Sequence, residues 1–434
     1  MSKLAMLGGT PAVPSGTASA ATTLWPVVTP GDEQAVSRVL RGGRLTATAA
    51  GEAEVPALER EWAAHVGVAH CVAVSSGTAA LRVALGALGI GPGDEVVVPA
   101  LTMNATAHAV LQCNATPVFA DIAPDTYTLD PKRVPEVLTE RTAALLPVHL
   151  HGLPADMDEL ASTAEAGALA VVEDAAQAHG ATYRSRRTGA LGLAGCFSLH
   201  PSKNLPTCGE GGLITTDSGP LYEAALALRN FGERAPAGIR TYIAHGAGGN
   251  ARLGPVQAAF TRSQLTRLPA YSKDRDLAVT ALLGRLAALP GLRVPHVPAD
   301  RSHSWHIIRL LLVPEEMDMA GIAPAAVRRA LHRVLRAEGV PVSQYQVAPL
   351  PAHPAFRPAD TTYEDIAARF PSTCQVIDGS LCLQRRHLNP AAADVLSLYA
   401  RGFEKAWEHL GLVRDIARAQ GTDDWRRHFA DGAR

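Results

Sequence analysis

The sequence predicts an α/β fold: a layered domain whose largely parallel sheet is covered by helices, followed by a smaller α+β domain. Three observations carry this expectation. Between residue 54 and about residue 218, short β-branched runs alternate with Ala/Leu-rich helical stretches, the pattern of helices wound around a parallel sheet. The strand-like runs are apolar almost throughout, as when helices cover both sheet faces. Finally, 434 residues, 47% of them apolar, exceed the ~100–200 of one domain and provide ample core.

The elements follow in order. HCVAV (70–74) reads as a strand and TAALRVALGALGI (78–90) as a helix with a Gly-Pro-Gly stop. DEVVVP (94–99) is a strand, NATAHAVLQ (104–112) a helix and TPVFADI (116–122) a strand. AALLPVHL (143–150), ALAVVED (168–174), AGCFSLH (194–200) and GGLITT (211–216) continue the strand series. A long helical region runs from 256 to about 288, then a linker over 288–302. SWHIIRLLLV (304–313) reads as a strand and AAVRRALHRVLRAEG (325–339) as an amphipathic helix with a solvated Arg-rich face. The expected division is an N-terminal segment, 1–53, packing on the rest, a large domain over 54–289 and a small one over 290–434. No repeat is visible, and the only biased tract is the Ala/Thr-rich 16–24.

Composition narrows the function classes. Lys+Arg is 40 and Asp+Glu 41, a net charge of −1, so no basic excess exists for nucleic acid. Apolar runs fall short of the ~20 residues of a membrane helix, and MSKLAMLGGTPAVPSG lacks a signal peptide's apolar stretch. The six cysteines form no CxxC pair, which fits reduced core thiols better than disulfides or a zinc site. A cytoplasmic globular protein without a structural metal is the expectation. Only five of the 40 basic residues are lysines. A lysine in such a chain offers amine chemistry that guanidinium cannot perform, although a GC-rich genome would give the same bias.

Parallel sheets place ligands outside the carboxyl ends of their strands, and three strand ends are informative here. HCVAV runs through Ser75-Ser76-Gly77-Thr78 into a helix, whose free N–H groups suit phosphate; Ser and Thr are also ordinary N-caps. ALAVVED ends in Asp174, an acid at the end of a buried strand that can hold a cationic partner or be a helix N-cap aspartate. SLHPSKNLPTCGEGG (198–212) sets Lys203 beyond a strand, between Ser198 and a glycine turn. Neither GxGxxG before a helix nor a P-loop Gly-Lys-Ser/Thr occurs. An amine, a carboxylate and a phosphate-type helix start at one sheet edge are what pyridoxal 5′-phosphate needs.

SSGTAAL (75–81), VVEDAAQAHGA (171–181) and SLHPSKNLPTCGEGG, in this order and spacing, resemble the signature blocks of the DegT/StrS aminotransferases. These are fold-type-I pyridoxal-phosphate enzymes acting on keto-sugars and keto-cyclitols. LGGTPAVP, 95–122, 151–160 and 245–265 extend the likeness, which covers 7–270 and is looser beyond. The resemblance implies that Lys203 carries the cofactor and shuttles a proton, while Asp174 keeps the pyridine nitrogen protonated. Gln177 would lie near the phenolic oxygen, and Gly77, Thr78 and Ser198 would hold the phosphate. The Gly-x-Asn-x-Arg motif is met loosely by Asn250 followed by Arg252, and that asparagine would reach the neighbouring subunit's phosphate, making the active unit a homodimer. L-Glutamine or L-glutamate would convert the cofactor to its pyridoxamine form, and the amine would pass to the keto acceptor. The setting implied is secondary-metabolite biosynthesis, and the LGGTP start and QYQVAPLPAHPAF (344–356) look more like the aminocyclitol branch.

Two departures stand out. Met103 occupies a position that is commonly aromatic and stacks on the pyridine ring, a contact its sulfur can still make. His151 replaces the Tyr of a frequent His-Leu-Tyr-Gly. Both leave open a lysine-retaining enzyme of different chemistry: elimination, cyclisation or imine chemistry. Dehydratase relatives lack the lysine that is present here. A non-catalytic binding protein on the same fold is the other alternative. His179 and His200 lie within motifs but have no derivable role.

Overall fold

The computed structural model describes residues 3–17, 24–234, 242–384, 387–421 and 424–430. Seven strands form the main sheet: β1 His70–Val74, β2 Glu95–Pro99, β3 Thr116–Ala120, β4 Thr142–Leu145, β5 Ala170–Asp174, β6 Ala194–Ser198 and β7 Gly212–Thr216. Their order is β1-β7-β6-β5-β4-β2-β3. β2 through β6 pair in parallel, and β7 is antiparallel to both neighbours, with Gly212 opposite Val74 and Ser198. The start of β7 therefore shares an edge with the ends of β1, β5 and β6. Val96, Val98, Val172 and Ile214 are fully buried, in keeping with the nearly unbroken apolar runs of the sequence.

A second, antiparallel sheet holds β8 Leu292–Arg293, β9 Ile307–Leu312, β10 Val342–Ser343 and β11 Ser380–Gln384, in the order β8-β9-β11-β10. The helices Leu268–Leu286, Pro324–Ala337 and Ala393–Trp407 pack with it around a separate apolar core. The N-terminal segment joins that core through Leu4 and Val13. Buried Glu338 clamps it, accepting from the N–H groups of Ala5 (2.7 Å) and Ala12 (2.9 Å) while paired with Lys405 at 2.8 Å. The chain after β10 returns to the first core through Leu350, Ile366 and Phe370, and Trp425 also packs there.

Several elements differ from expectation for local reasons. The strand over 143–150 ends at Leu145, because Pro147 cannot donate to a ladder; beyond it Val148 makes an isolated bridge to Asp174. The helical region 256–288 is two helices, Pro255–Leu265 and Leu268–Leu286, and Pro269 sits in the first turn of the second. β8 lies inside the expected linker. The Arg-rich face of Pro324–Ala337 is not wholly solvated: Arg328 is buried and donates to the Asp378 carbonyl at 2.9 Å and Gln344 Oε1 at 2.8 Å. No helix among the described residues is long and apolar enough to cross a membrane.

Candidate active site

The strand ends open onto a cavity of about 420 Å³. Of the residues singled out in the sequence, Gly77, Thr78, Met103, Asp174, Gln177, Ser198 and Lys203 all line it. Asn250 does not: it bridges Asn230 through the backbone, away from the cavity.

At one end lies the start of the helix Gly77–Ala87. Ser76 is its N-cap, with Oγ accepting from Ala79 N at 3.1 Å, and the first-turn N–H groups precede the helical ladder. Ser198, at the end of β6, packs so closely that a Cβ on Gly77 would come 2.7 Å from the Ser198 Cβ. Only glycine fits there, and the resulting notch suits an anion held by N–H and hydroxyl groups.

Asp174 ends β5 and is almost wholly buried. Thr106 Oγ1 donates to Oδ2 at 2.8 Å and Ala176 N to Oδ1 at 3.1 Å, so each carboxylate oxygen accepts one hydrogen bond. Burial raises its pKa from the ordinary carboxylate value, opposed by the Thr106 and Ala176 hydrogen bonds and by the charge of Lys203. Lys203 shows the converse. Burial lowers its amine to about 8, and Asp174 and then Glu210 pull it back up. An amine near 8 is partly unprotonated at physiological pH, able to act as a nucleophile or to take up a proton. Trp25 Nε1 donates to the Lys203 carbonyl at 2.9 Å, fixing the backbone. His200 Nδ1 accepts from Ser202 N at 3.1 Å and braces the same loop.

Gln177 Oε1 accepts from His151 N at 2.7 Å, and its Nε2 faces the Tyr345 hydroxyl at 3.4 Å. His151 sits at φ 61°, a left-handed conformation that histidine tolerates better than most residues. Its Nε2 accepts from Arg309 Nε at 2.8 Å, so the ring is neutral with its proton on Nδ1. Burial, then the Arg309 charge, holds its pKa well below the usual histidine value. Met103 caps the helix Asn104–Leu111 and is 51% exposed at the cavity mouth. His179 packs against Trp62 and Phe197, and burial lowers it to about 3, the signature of a core histidine.

Sequence reasoning missed Thr106, His306, Tyr345 and Gln384. Thr106 lies in the first turn of the helix Asn104–Leu111, its hydroxyl 3.2 Å from that of Thr102, and no local signal ties it to Asp174. The other three come from the ends of the second sheet, and no local signal ties them to β5.

A family model described as the DegT/DnrJ/EryC1/StrS aminotransferase family matches residues 28–395. The chain is 43% identical over 275 residues to a dTDP-3-amino-3,4,6-trideoxy-alpha-D-glucose transaminase of Streptomyces venezuelae, covering 63% of this chain and 70% of that one. It is 37% identical over 408 residues to an L-glutamine:scyllo-inosose aminotransferase of Streptomyces griseus, covering 91% and 92%. The crystal structure of 3-amino-5-hydroxybenzoic acid synthase superposes with a TM-score of 0.78 at 32% identity, over 88% of this chain and 98% of that one. With its mixed sheet and its cavity at the strand ends, the chain belongs to the DegT/DnrJ/EryC1/StrS aminotransferase family.

Proposed function

We propose that the protein is a pyridoxal-phosphate-dependent aminotransferase moving an amino group from L-glutamine or L-glutamate to a keto-cyclitol or keto-sugar. The observation that carries this reading is the convergence of Lys203, Asp174 and the Ser76–Thr78 helix start on one cavity. These residues fit the cofactor: the Gly77–Ser198 notch suits its phosphate, Asp174 a protonated ring nitrogen, and Lys203 its carbonyl carbon. Gln177 would lie beside the phenolic oxygen and Met103 over the ring. When bound, the cofactor supplies an electron sink for the carbon that bears the amine.

The chain's own residues then do the following. Lys203 Nζ, its pKa lowered to about 8 by burial, would accept the proton released from the donor carbon and pass it to the carbon that came from the cofactor's carbonyl. Asp174 keeps a compensating negative charge within a dry wall, where it acts more strongly than in water. Thr106 and the Ala176 N–H fix that carboxylate at 2.8 and 3.1 Å, and His151 N orients Gln177. A homodimer is part of the proposal, with Asn250 serving the neighbouring site. Phe231, next to Asn230 in the chain, and Ile243 are 41% and 55% exposed, apolar side chains that a second copy would cover. A cytoplasmic setting and secondary-metabolite biosynthesis complete the reading. The cyclitol branch is favoured because the S. griseus relative matches across 91% of the chain, into the C-terminal region.

Product analysis tests it. One keto acid formed per amino-cyclitol or amino-sugar, lost in Lys203→Ala, is the expected outcome. Product formed without a keto acid from the donor contradicts transamination and favours the elimination or cyclisation alternative.

A further inference from the structure

One wall of the cavity is not used by any of the roles above. His306, Tyr345 and Gln384 line it; His306 and Gln384 stand at the end of the second sheet where Ile307 pairs with Gln384, and Tyr345 lies two residues beyond the end of β10. The wall is uncharged but rich in hydrogen-bonding atoms. His306 Nδ1 is buried without a hydrogen-bond partner. The Tyr345 oxygen is within reach of Gln177 Nε2 at 3.4 Å; accepting there leaves its own proton free to donate.

The way Tyr345 is held is unusual. The residues on either side of it, Gln344 and Gln346, are each gripped by a buried arginine. Arg328 Nη1 donates to Gln344 Oε1 at 2.8 Å, and Arg309 Nη2 donates to Gln346 Oε1. Arg309 also donates to Ser380 Oγ at 2.6 Å and to His151. Every described hydrogen bond of these two guanidinium groups goes to a neutral acceptor. Burying a cation is costly: Arg309 bonds neutral groups only, while Arg328 is also under the charge of Asp378, and an apolar side chain would fill either space without that cost. What the arginines supply is a fixed fork geometry. Gln346 Nε2 has no hydrogen-bond partner, so the Arg309 contact alone sets that amide.

We propose that Tyr345 donates a hydrogen bond to a ring hydroxyl of the amino acceptor, and that Arg309 and Arg328 are positioning residues that aim it by clamping Gln344 and Gln346. This rests on the aminotransferase reading and extends it: the acceptor is recognised on this wall through uncharged hydroxyls. His306 Nδ1 and Gln384 supply further hydrogen-bonding atoms on the same wall.

The test uses the pyridoxal-phosphate-loaded protein titrated calorimetrically with myo-inositol, a polyol with no ketone, so that binding is read without turnover. Losing one neutral hydrogen bond weakens binding by about 3- to 10-fold. Tyr345→Phe should show that loss with the visible cofactor band unchanged. Arg309→Lys, which keeps the charge but not the fork, should weaken binding in the same direction although Tyr345 is intact. The double variant should be no worse than Tyr345→Phe alone, because both act through one contact. The L-glutamine concentration that half-bleaches the visible band should change less than the myo-inositol affinity does, whereas a general disturbance of the site would move both alike. Additive losses, equal affinities, equal changes in the two responses, or no binding of myo-inositol to the native protein would each overturn the assignment. Failure of L-glutamine to bleach the native protein would instead count against transamination, with the polyol titration still readable on its own.

Discussion

Thr106→Val removes one hydroxyl with little change in shape, and that hydroxyl donates to Asp174 Oδ2 at 2.8 Å inside the protein. Both residues are buried, so water cannot replace the bond. A hydrogen bond to a charged group is worth about 1.5–3 kcal/mol and one to a neutral group about 0.5–1.5. The variant should therefore cost about 1.5–3 kcal/mol where Asp174 is ionised and only about 0.5–1.5 where it is protonated. The direction with pH follows from linkage. Burial raises the folded-state pKa of Asp174 above the ordinary value, so the folded protein binds this proton more tightly than the unfolded chain. Stability from this group is present at low pH and is lost as pH rises through the folded pKa. Removing Thr106 raises that pKa further and extends the loss. Urea unfolding of the cofactor-free protein from pH 4 to 8, native against variant, measures it. The difference should grow with pH by about 1–1.5 kcal/mol and then level off, and Thr106→Ser should restore most of it. A difference that stays constant across pH, or that grows toward acid, would refute the assignment of the bond to an ionised Asp174.

Two further outcomes follow from the same site. Gly77→Ala places a Cβ 2.7 Å from the Ser198 Cβ, so one wall must shift, at a cost of about 1–3 kcal/mol; thermal unfolding should detect this, and pyridoxal phosphate should lose more affinity than phosphate-free pyridoxal does. The Lys203 amine, lowered to about 8 by burial and supported by Asp174, should react with aldehydes at a rate that rises with pH to a plateau with a midpoint near 8. Asp174→Asn should move that midpoint down, as seen by mapping reductive alkylation of Lys203 against pH.

The parallel sheet was legible because β1, β2, β5 and β6 are short apolar runs bounded by Gly, Pro and polar turns, and such patterns survive in any context. The site residues at those strand ends were legible for the same reason: Lys203, Asp174 and Gly77 are placed by the local end of one strand each. Asn250 was named on resemblance alone, and its backbone pairing with Asn230 sets it apart from this chain's own cavity. Tyr345 and His306 could not be read. Tyr345 meets Gln177 across 168 residues of sequence, and nothing in QYQ distinguishes a phenol facing a cavity from one on a surface. Arg328 looked like one more solvated arginine on an amphipathic helix, because a helical period records which face an arginine occupies but not the glutamine that meets it.

The most direct test of the central claim is the absorbance spectrum of the purified protein with pyridoxal phosphate, before and after L-glutamine or L-glutamate. An aminotransferase should show a visible band from the lysine-bound cofactor that either donor bleaches to the pyridoxamine spectrum, with no such band in Lys203→Ala. A band that no amino donor bleaches would contradict transamination, and the absence of any band would contradict the role given to Lys203.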